Sequence, residues 1–281
     1  MPPRDAPTAR QARLGSELRR MRERAGRTAR EAGALLGTDQ AKISMMEAGR
    51  RGVSEERVRR LAAFYACEDA ALVDALCGIT HEHRGQFWWD AYRGTLPPSH
   101  LDVAELEHHA TRLRSVQMLL VPGIFQTPDY ARAIFGSGTP ATELEARVEL
   151  RTSRAAVLDR QDPPPYEVII HEAALRMRYG GRQVARAQLG RLLEASEKPS
   201  VDVRVIPFAV EEMSGHAQSM LYAAGVVPRL DTVQIDTPFG GGFVDTEPQL
   251  KKYEGLIDAL KDVALETKES RDMVRRVARE M

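Results

Sequence analysis

The chain of 281 residues is long enough for two ordinary domains, each with its own hydrophobic core. It carries 40 basic and 40 acidic side chains, and this zero formal net charge, taken over the whole chain, argues against a nucleic-acid partner. Its two cysteines lack metal-ligand spacing and no stretch approaches the roughly 18 apolar residues of a membrane helix, so a disulfide framework, a zinc site and a membrane span are not expected. We therefore expect a cytoplasmic protein.

The charges are distributed unevenly along the chain. Residues 1–66 hold 15 basic and 8 acidic side chains, whereas the remaining residues hold 25 and 32. A basic N-terminal segment followed by an acidic remainder of the chain favours nucleic acid as the partner of the N-terminal segment. Within that segment, residues 1–13 contain three prolines and no apolar run, which excludes a secretory signal and predicts a disordered arm.

Residues 14–78 predict an all-α domain of five short helices with glycine-containing breaks. The first is expected from residue 16, and the second lies between a capping Thr28 and Gly37. Thr38 is the expected cap of the third helix and Ser54 that of the fourth. Two helices joined by a turn of three to four residues have the dimensions of a helix-turn-helix, whose second helix enters the major groove by its N-terminal residues. We therefore expect the third helix to read DNA.

This placement gives each polar side chain around the third helix an expected role. Gln40 can pair bidentately with adenine, a contact that discriminates between bases by roughly 1 to 3 kcal/mol. The residues expected to contact bases are Asp39, Gln40, Ala41, Lys42 and Met45. Phosphate contacts, which position the domain without reading sequence, are expected from Thr28, Ser44, Arg50, Arg51 and Ser54.

The rest of the chain predicts a linker and a second, α+β domain. Residues 79–100 are the linker, and Phe87, Trp88 and Trp89 within it are the candidate joint between the domains. In residues 101–281, helices are expected at 103–119, 140–160, 183–195, 247–265 and 268–279. Four strands, in YEVIIH, VDVRVIPF, SMLYAAG and DTVQID, suit a small, mainly antiparallel sheet.

Several stretches resemble known families. GSELRRMRERAG, TAREAGALLG and TDQAKISMMEAGRRGVS resemble the repressor-like helix-turn-helix family of the Xre or Cro/cI type. WWDAYRG, VPGIFQTPDYARAI, VELRTSRAAVLDR, HEAALRMRYGG and VRVIPF resemble the C-terminal domain of WhiJ-like, antitoxin-like actinobacterial regulators. The second resemblance implies a transcriptional regulator that is encoded beside a small partner protein.

The chain departs from the first family's pattern in the second helix. Members usually begin that helix with Thr-Gln and carry Leu-Ala where this chain has Ala32 and Gly33. Ala29 thus removes a side chain that commonly meets the DNA backbone, and Gly33 costs about 1 kcal/mol relative to alanine within a helix. These departures favour a modest DNA affinity.

Four other residues leave two interpretations open. Arg151, Arg154, His171 and Glu172 form either an internal ion-pair network or a site for a small molecule or partner peptide. No nucleophile stands beside a base and no group of residues has metal-ligand spacing, so we expect no enzymatic activity, no cofactor and no metal.

The leading hypothesis is a sequence-specific DNA-binding regulator controlled through its C-terminal domain by a small partner protein. A single small domain offers few base contacts, so a homodimer on an inverted repeat in double-stranded DNA is expected. The rival hypothesis is an antitoxin-like protein whose main role is to sequester the small partner, with weak or lost DNA binding.

Overall fold

The computed structural model describes residues 7–82, 85–136, 138–213, 217–237 and 240–281. The chain divides into two compact units. The N-terminal unit runs to Ala91 and also includes Val226–Leu230, and the C-terminal unit contains Tyr92–Gly225 and Asp231–Met281. Within the described residues, no helix is long and apolar enough to cross a membrane.

The N-terminal unit is helical, as the sequence predicts. Its helices are α1 (Ala9–Arg24), α2 (Ala29–Leu35), α3 (Gln40–Glu47), α4 (Glu55–Phe64) and α5 (Ala70–Thr80). The expected start of α1 at residue 16 is wrong, because the helix begins seven residues earlier, at Ala9, with Thr8 as its cap. The Thr8 hydroxyl accepts from the Gln11 amide at 3.2 Å, and the Gln11 side chain accepts from the Thr8 amide at 3.3 Å. Of the predicted disordered arm, residues 1–6 lie outside the described residues and residues 9–13 are helical.

The core of the N-terminal unit depends on a close approach of α1 to the end of α3. Leu18, Ile43 and Leu61 are almost fully buried there. A Cβ atom added to Gly15 would lie 2.5 Å from the carbonyl oxygen of Glu47 and 2.6 Å from that of Met46. Only glycine therefore lets the two backbones come this close.

The segment Val226–Leu230 completes the N-terminal unit. Leu230 is buried in its hydrophobic core, and Arg229 Nη2 lies 2.6 Å from Glu17 Oε2. The Glu17 side chain is 0% exposed and also pairs with Arg20 at 2.6 Å, while the Arg13 guanidinium donates to the carbonyl of Arg229. A buried carboxylate without such partners would cost several kcal/mol, so this ion pair fixes the segment on α1.

The C-terminal unit is α+β, which confirms the predicted fold class. Its helices are α6 (Pro98–His109), α7 (Pro128–Phe135), α8 (Ala141–Ser153), α9 (Glu172–Arg176), α10 (Arg182–Ala195), α11 (Glu247–Asp262) and α12 (Thr267–Glu280). Its strands are β1 (Arg112–Gln117), β2 (Tyr166–His171), β3 (Val201–Ile206), β4 (Met220–Ala224), β5 (Thr232–Thr237) and β6 (Gly240–Val244). They form one sheet in the order β3-β2-β1-β4-β5-β6, in which β1–β2 and β2–β3 are parallel pairs and the others are antiparallel.

Several elements of this unit differ from the sequence prediction, which gave four strands where the sheet has six and did not include β6 (Gly240–Val244). The helix expected over residues 103–119 is wrong, because α6 ends at His109 and the chain continues as β1. This strand lies between β2 and β4, and residues 113–116 are all buried, so it shows no apolar and polar alternation. The helix expected to reach residue 160 ends at Ser153, and a 3-10 helix, Arg154–Asp159, follows.

The sheet is covered on both faces. Leu113, Val168 and Val203 belong to the core that includes α10 and α12. Val116 and Ile169 belong to the opposite core, under α11. Residues of the segment from α6 to α8 line a cavity beside the sheet.

Candidate nucleic-acid interface

The turn between α2 and α3 has the geometry that the sequence predicts for a helix-turn-helix. Gly37 adopts a positive φ of 62°, and the Thr38 amide donates to the carbonyl of Gly33 at 2.8 Å. A Cβ atom added to Gly33 would lie 2.8 Å from the carbonyl oxygen of Thr38. Gly33 thus allows the turn to fold closely against α2, which offsets its low helix propensity.

The cap of α3 is Asp39, and the predicted cap at Thr38 is one residue too early. The Asp39 carboxylate accepts from the Lys42 amide at 2.8 Å and pairs with the Lys42 ammonium at 2.7 Å. These hydrogen bonds to Lys42 hold the pKa of Asp39 below its usual value. The exposed Asp39–Lys42 pair thus stands at the start of α3, where part of the Lys42 charge is balanced by Asp39.

The solvent face of α3 carries the other residues predicted to meet bases. Gln40, Ala41 and Met45 are exposed, and Ser44, predicted to contact phosphate, lies on the same face. Ile43 and Met46 point into the hydrophobic core. The exposed face offers an amide and a hydroxyl for hydrogen bonds, together with two apolar side chains for contact with a thymine methyl group.

A concave groove of about 450 Å³ joins this face to the start of α2. It brings Thr28, Gln40 and Ser44 together with three arginines that the sequence analysis did not single out. These arginines are Arg19, Arg22 and Arg27. The helix-turn-helix therefore presents a basic wall to anything that contacts α3.

The three arginines differ in how freely they can move. Arg22 makes a bidentate pair with Glu47, at 2.6 and 3.0 Å, and ties α1 to α3. Arg19 is 63% exposed and pairs with the exposed Glu23, and Arg27 pairs with the exposed Glu31 at 3.3 Å and lies 4.7 Å over the ring of Phe64. Arg19 and Arg27 are therefore the groove cations best placed to meet phosphate.

Acidic side chains occupy the first turns of α2 and α4. Thr28 caps α2, but Glu31 accepts from both the amide and the hydroxyl of Thr28 at 2.7 Å, so an approaching phosphate would have to displace this carboxylate. The backbone and hydroxyl hydrogen bonds from Thr28 lower the pKa of Glu31. Ser54 caps α4 as predicted, with Glu55 and Glu56 in the first turn. Both helix starts are thus already supplied with negative charge.

The loop after α3 contributes two further predicted phosphate contacts. Arg50 is exposed and Arg51 is half-buried. The Arg51 amide donates to the carbonyl of Met45 at 3.0 Å, which fixes the loop against the end of α3. Both residues thus lie directly after α3, and their phosphate contacts stay a prediction.

The four residues left with two interpretations separate into two places in the C-terminal unit. Arg151 and Arg154 line a cavity, where Arg154 pairs with Glu107. His171 caps α9 at the end of β2, and Glu172 pairs with Arg176 at 2.7 Å and accepts from the Phe208 amide. The network is therefore not continuous from α8 to β2.

The aromatic residues of the predicted joint belong to the N-terminal unit, which ends at Ala91. Trp89 is buried and stacks on Phe87, with ring centroids 4.6 Å apart. Trp88 meets Trp89 edge-on and is 37% exposed. Their role as a joint stays a prediction.

Comparison with known families also divides the chain into an N-terminal and a C-terminal part. A family model described as a helix-turn-helix domain matches residues 13–76. A second, described as a domain of unknown function, DUF5753, matches residues 101–276. No curated protein and no solved structure matches the chain.

Proposed function

We propose that this chain, which belongs to the DUF5753 family and carries a helix-turn-helix domain, is a sequence-specific transcriptional regulator that binds double-stranded DNA. The observation that carries the proposal is the groove in which Gln40 and Ser44 of α3 lie beside Arg19 and Arg27. It combines groups that can read base edges with groups that can bind phosphate. The basic excess of residues 1–66 supports the same assignment.

The first test separates base reading from phosphate binding. Fluorescence anisotropy would compare the DNA upstream of the protein's own coding sequence with a random duplex over a range of salt concentrations. Gln40→Ala should weaken specific binding by a factor equivalent to about 1 to 3 kcal/mol and leave random DNA unaffected. Arg51→Ala and Arg19→Ala should weaken both duplexes and reduce the salt slope by about one counterion each.

Arg275→Ala is the matched control for these variants. Arg275 is an exposed arginine of α12 in the C-terminal unit, and it pairs with Asp272 much as Arg19 pairs with Glu23. Its replacement should leave both affinities unchanged. Equal losses on specific and random DNA for Gln40→Ala would refute the assignment of α3 as the reading helix.

The regulator is expected to act as a homodimer. One helix-turn-helix reads only a few base pairs, so two copies on an inverted repeat are needed, with half-site centres about 34 Å apart or a multiple of that distance. Footprinting should show two related half-sites, and light scattering should show a dimer at micromolar concentration. A monomer that protects one unrepeated half-site would contradict this expectation.

Control by a small partner protein is the second part of the proposal. Residues 67–281 carry 25 basic and 32 acidic side chains, a balance unsuited to DNA and suited to a small basic or mixed-charge protein. His171 and Glu172 lie beside Phe208, whose side chain is 58% exposed, so this cluster is the proposed contact. For regulation, the partner must bind the DNA-bound and free forms with different affinities.

The partner test uses the intact chain and the small protein encoded beside it. Calorimetry would measure binding to wild type, to Phe208→Ser and to Leu119→Ser, which alters a similarly exposed apolar residue of the same unit. Only Phe208→Ser should weaken binding, and the partner should change operator affinity. A bound partner that leaves operator affinity unchanged would refute this mechanism.

An antitoxin-like role is the second candidate function. The observation that favours it is the carboxylates at the starts of both helices of the motif, Glu31 on α2 and Asp39 before α3, because negative charge there opposes phosphate. This role predicts tight binding of the small partner together with equal affinities for the upstream DNA and random DNA. The anisotropy and calorimetry experiments above distinguish the two functions.

A further inference from the structure

A cavity of about 330 Å³ lies within the C-terminal unit, and none of its lining residues belongs to α3. Its size is in the range of pockets that hold small ligands. One part of its lining is apolar and includes Val103, Ile134, Phe135 and Leu221. Another part of the lining is positively charged and consists of arginines of α8 and of the 3-10 helix that follows it.

Three arginines, Arg147, Arg151 and Arg154, share this lining. Arg147 pairs with Glu143 at 3.0 Å, and Arg154 makes a bidentate pair with Glu107, at 2.7 and 2.6 Å. Two of the three charges are thus balanced by carboxylates within the unit.

Arg151 is the exception. Its Nη1 donates to the Gln126 side-chain oxygen at 2.8 Å, and its guanidinium lies 4.7 Å from the centre of the Phe135 ring. Within the described part of the chain it has no carboxylate at salt-bridge distance. The Asp236 carboxylate also lines the cavity and acts on Arg151 through space, so it offsets part of this charge without a direct salt bridge.

The guanidinium groups of Arg151 and Arg154 converge on one point. A Cβ atom added to Gly123 would lie 3.1 Å from Arg151 Nη1 and 3.0 Å from Arg154 Nη2. Two like charges held this close in a buried place repel each other, and burial followed by the Arg154 charge lowers the pKa of Arg151 to about 9. An anion between them would relieve both penalties.

Three buried polar atoms of the lining residues have no hydrogen-bond partner in the described structure. They are Nδ1 of His100, Oγ of Ser115 and Nε of Arg147. Burial and the neighbouring arginines lower the pKa of His100 to about 4, so its ring is neutral at pH 7 and can donate or accept one hydrogen bond. Buried polar atoms are normally satisfied, so these three point to a missing polar group in the cavity.

We propose that this cavity binds a small organic acid, with its carboxylate between Arg151 and Arg154 and its apolar body against Ile134 and Phe135. A monoanion brings less negative charge close to Glu107 and Asp236, which also line the cavity, than a phosphate dianion would. The apolar wall favours an organic body over an inorganic ion. This inference goes beyond the proposed function, and its test requires no DNA.

The test is calorimetric titration of the intact chain with hexanoate and 3-phenylpropionate. Hexanamide has the same body as hexanoate without the charge, and inorganic phosphate has charge without the body. A carboxylate bound by a charge-assisted pair should bind about tenfold or more tightly than the amide. Arg151→Met should remove that advantage, whereas Arg275→Met, on the exposed face of α12, should leave it intact.

A thermal melt provides the check on folding. Without added acid, Arg151→Met should melt at or above the wild-type temperature, because it removes one of two like charges held close together, and hexanoate should stabilise only the wild type and Arg275→Met. The proposal is overturned if neither carboxylate binds, if hexanamide binds as tightly as hexanoate, if phosphate binds as tightly, or if Arg151→Met keeps wild-type affinity. Should Arg151→Met fail to fold, Gly123→Ser provides the same test, because its side chain would occupy the point between the guanidinium groups.

Discussion

The substitution Gly15→Ala tests the close approach of α1 to α3. The added Cβ atom would meet two backbone carbonyl oxygens at 2.5 and 2.6 Å, and neither can rotate away. Alanine gains about 1 kcal/mol over glycine within a helix. Overpacking against rigid neighbours costs up to about 3 kcal/mol. We therefore expect a net loss of about 2 kcal/mol from the free energy of unfolding of the N-terminal unit.

The assay is thermal unfolding of the intact chain followed by tryptophan fluorescence. The chain's two tryptophans, Trp88 and Trp89, both lie in the N-terminal unit, so this signal reports on that unit. A loss of about 2 kcal/mol corresponds to a decrease of about 10 °C in the melting temperature of a domain of this size.

Gly78→Ala is the matched control for this substitution. Gly78 lies in α5, and a Cβ atom added there meets nothing within 4 Å. This variant should melt at or above the wild-type temperature, because only the gain in helix propensity remains. If Gly15→Ala melts as high as Gly78→Ala, the two backbones can separate without cost and the reasoning is refuted.

Three other predictions concern ion pairs and titration. Glu17→Gln should cost the N-terminal unit about 3 kcal/mol in urea denaturation, because it removes the buried carboxylate from its salt bridges with Arg20 and Arg229. Arg229→Met should cost less, since Glu17 keeps its other partners, and equal losses would contradict this account. Asp39→Asn keeps the cap and removes a negative charge, so DNA affinity in anisotropy should rise at low salt, and the gain should fade at high salt. His100 stays neutral in the folded chain down to about pH 4, whereas the unfolded chain takes up a proton near pH 6.5, so stability should fall across this window as pH falls. Calorimetry should show that His100→Asn loses less stability than the wild type as the pH falls. An unchanged loss of stability would show that other groups cause it.

Local chemistry explains why much of the N-terminal fold follows from the sequence. Thr28 and Ser54 were predicted as caps because a cap depends only on the residue and the three amides after it. The same rule gave the wrong residue at the start of α3, where Thr38 and Asp39 are both good capping residues. The turn after α2 decides between them, since the Thr38 amide donates to the Gly33 carbonyl and Thr38 therefore belongs to the turn, which leaves Asp39 as the cap.

Features that depend on distant contacts were not predicted. The strand β1 is buried on both sides, and Arg114 within it pairs with Glu167 and Asp258 from other elements. Its polar residues therefore gave no alternation to recognise. The groove arginines Arg19 and Arg27 likewise come beside Gln40 and Ser44 only when α1 packs beside α3.

The membership of Val226–Leu230 in the N-terminal unit affects how the protein can be divided. A fragment that stops at residue 91 would lack Leu230 from its core and the Arg229 partner of Glu17, so it should be less stable than the same residues in the intact chain. A chimera that exchanges helix-turn-helix domains between family members must therefore transplant two segments. Residues 17 and 229, far apart in sequence and within different family matches, should accordingly vary together across the family.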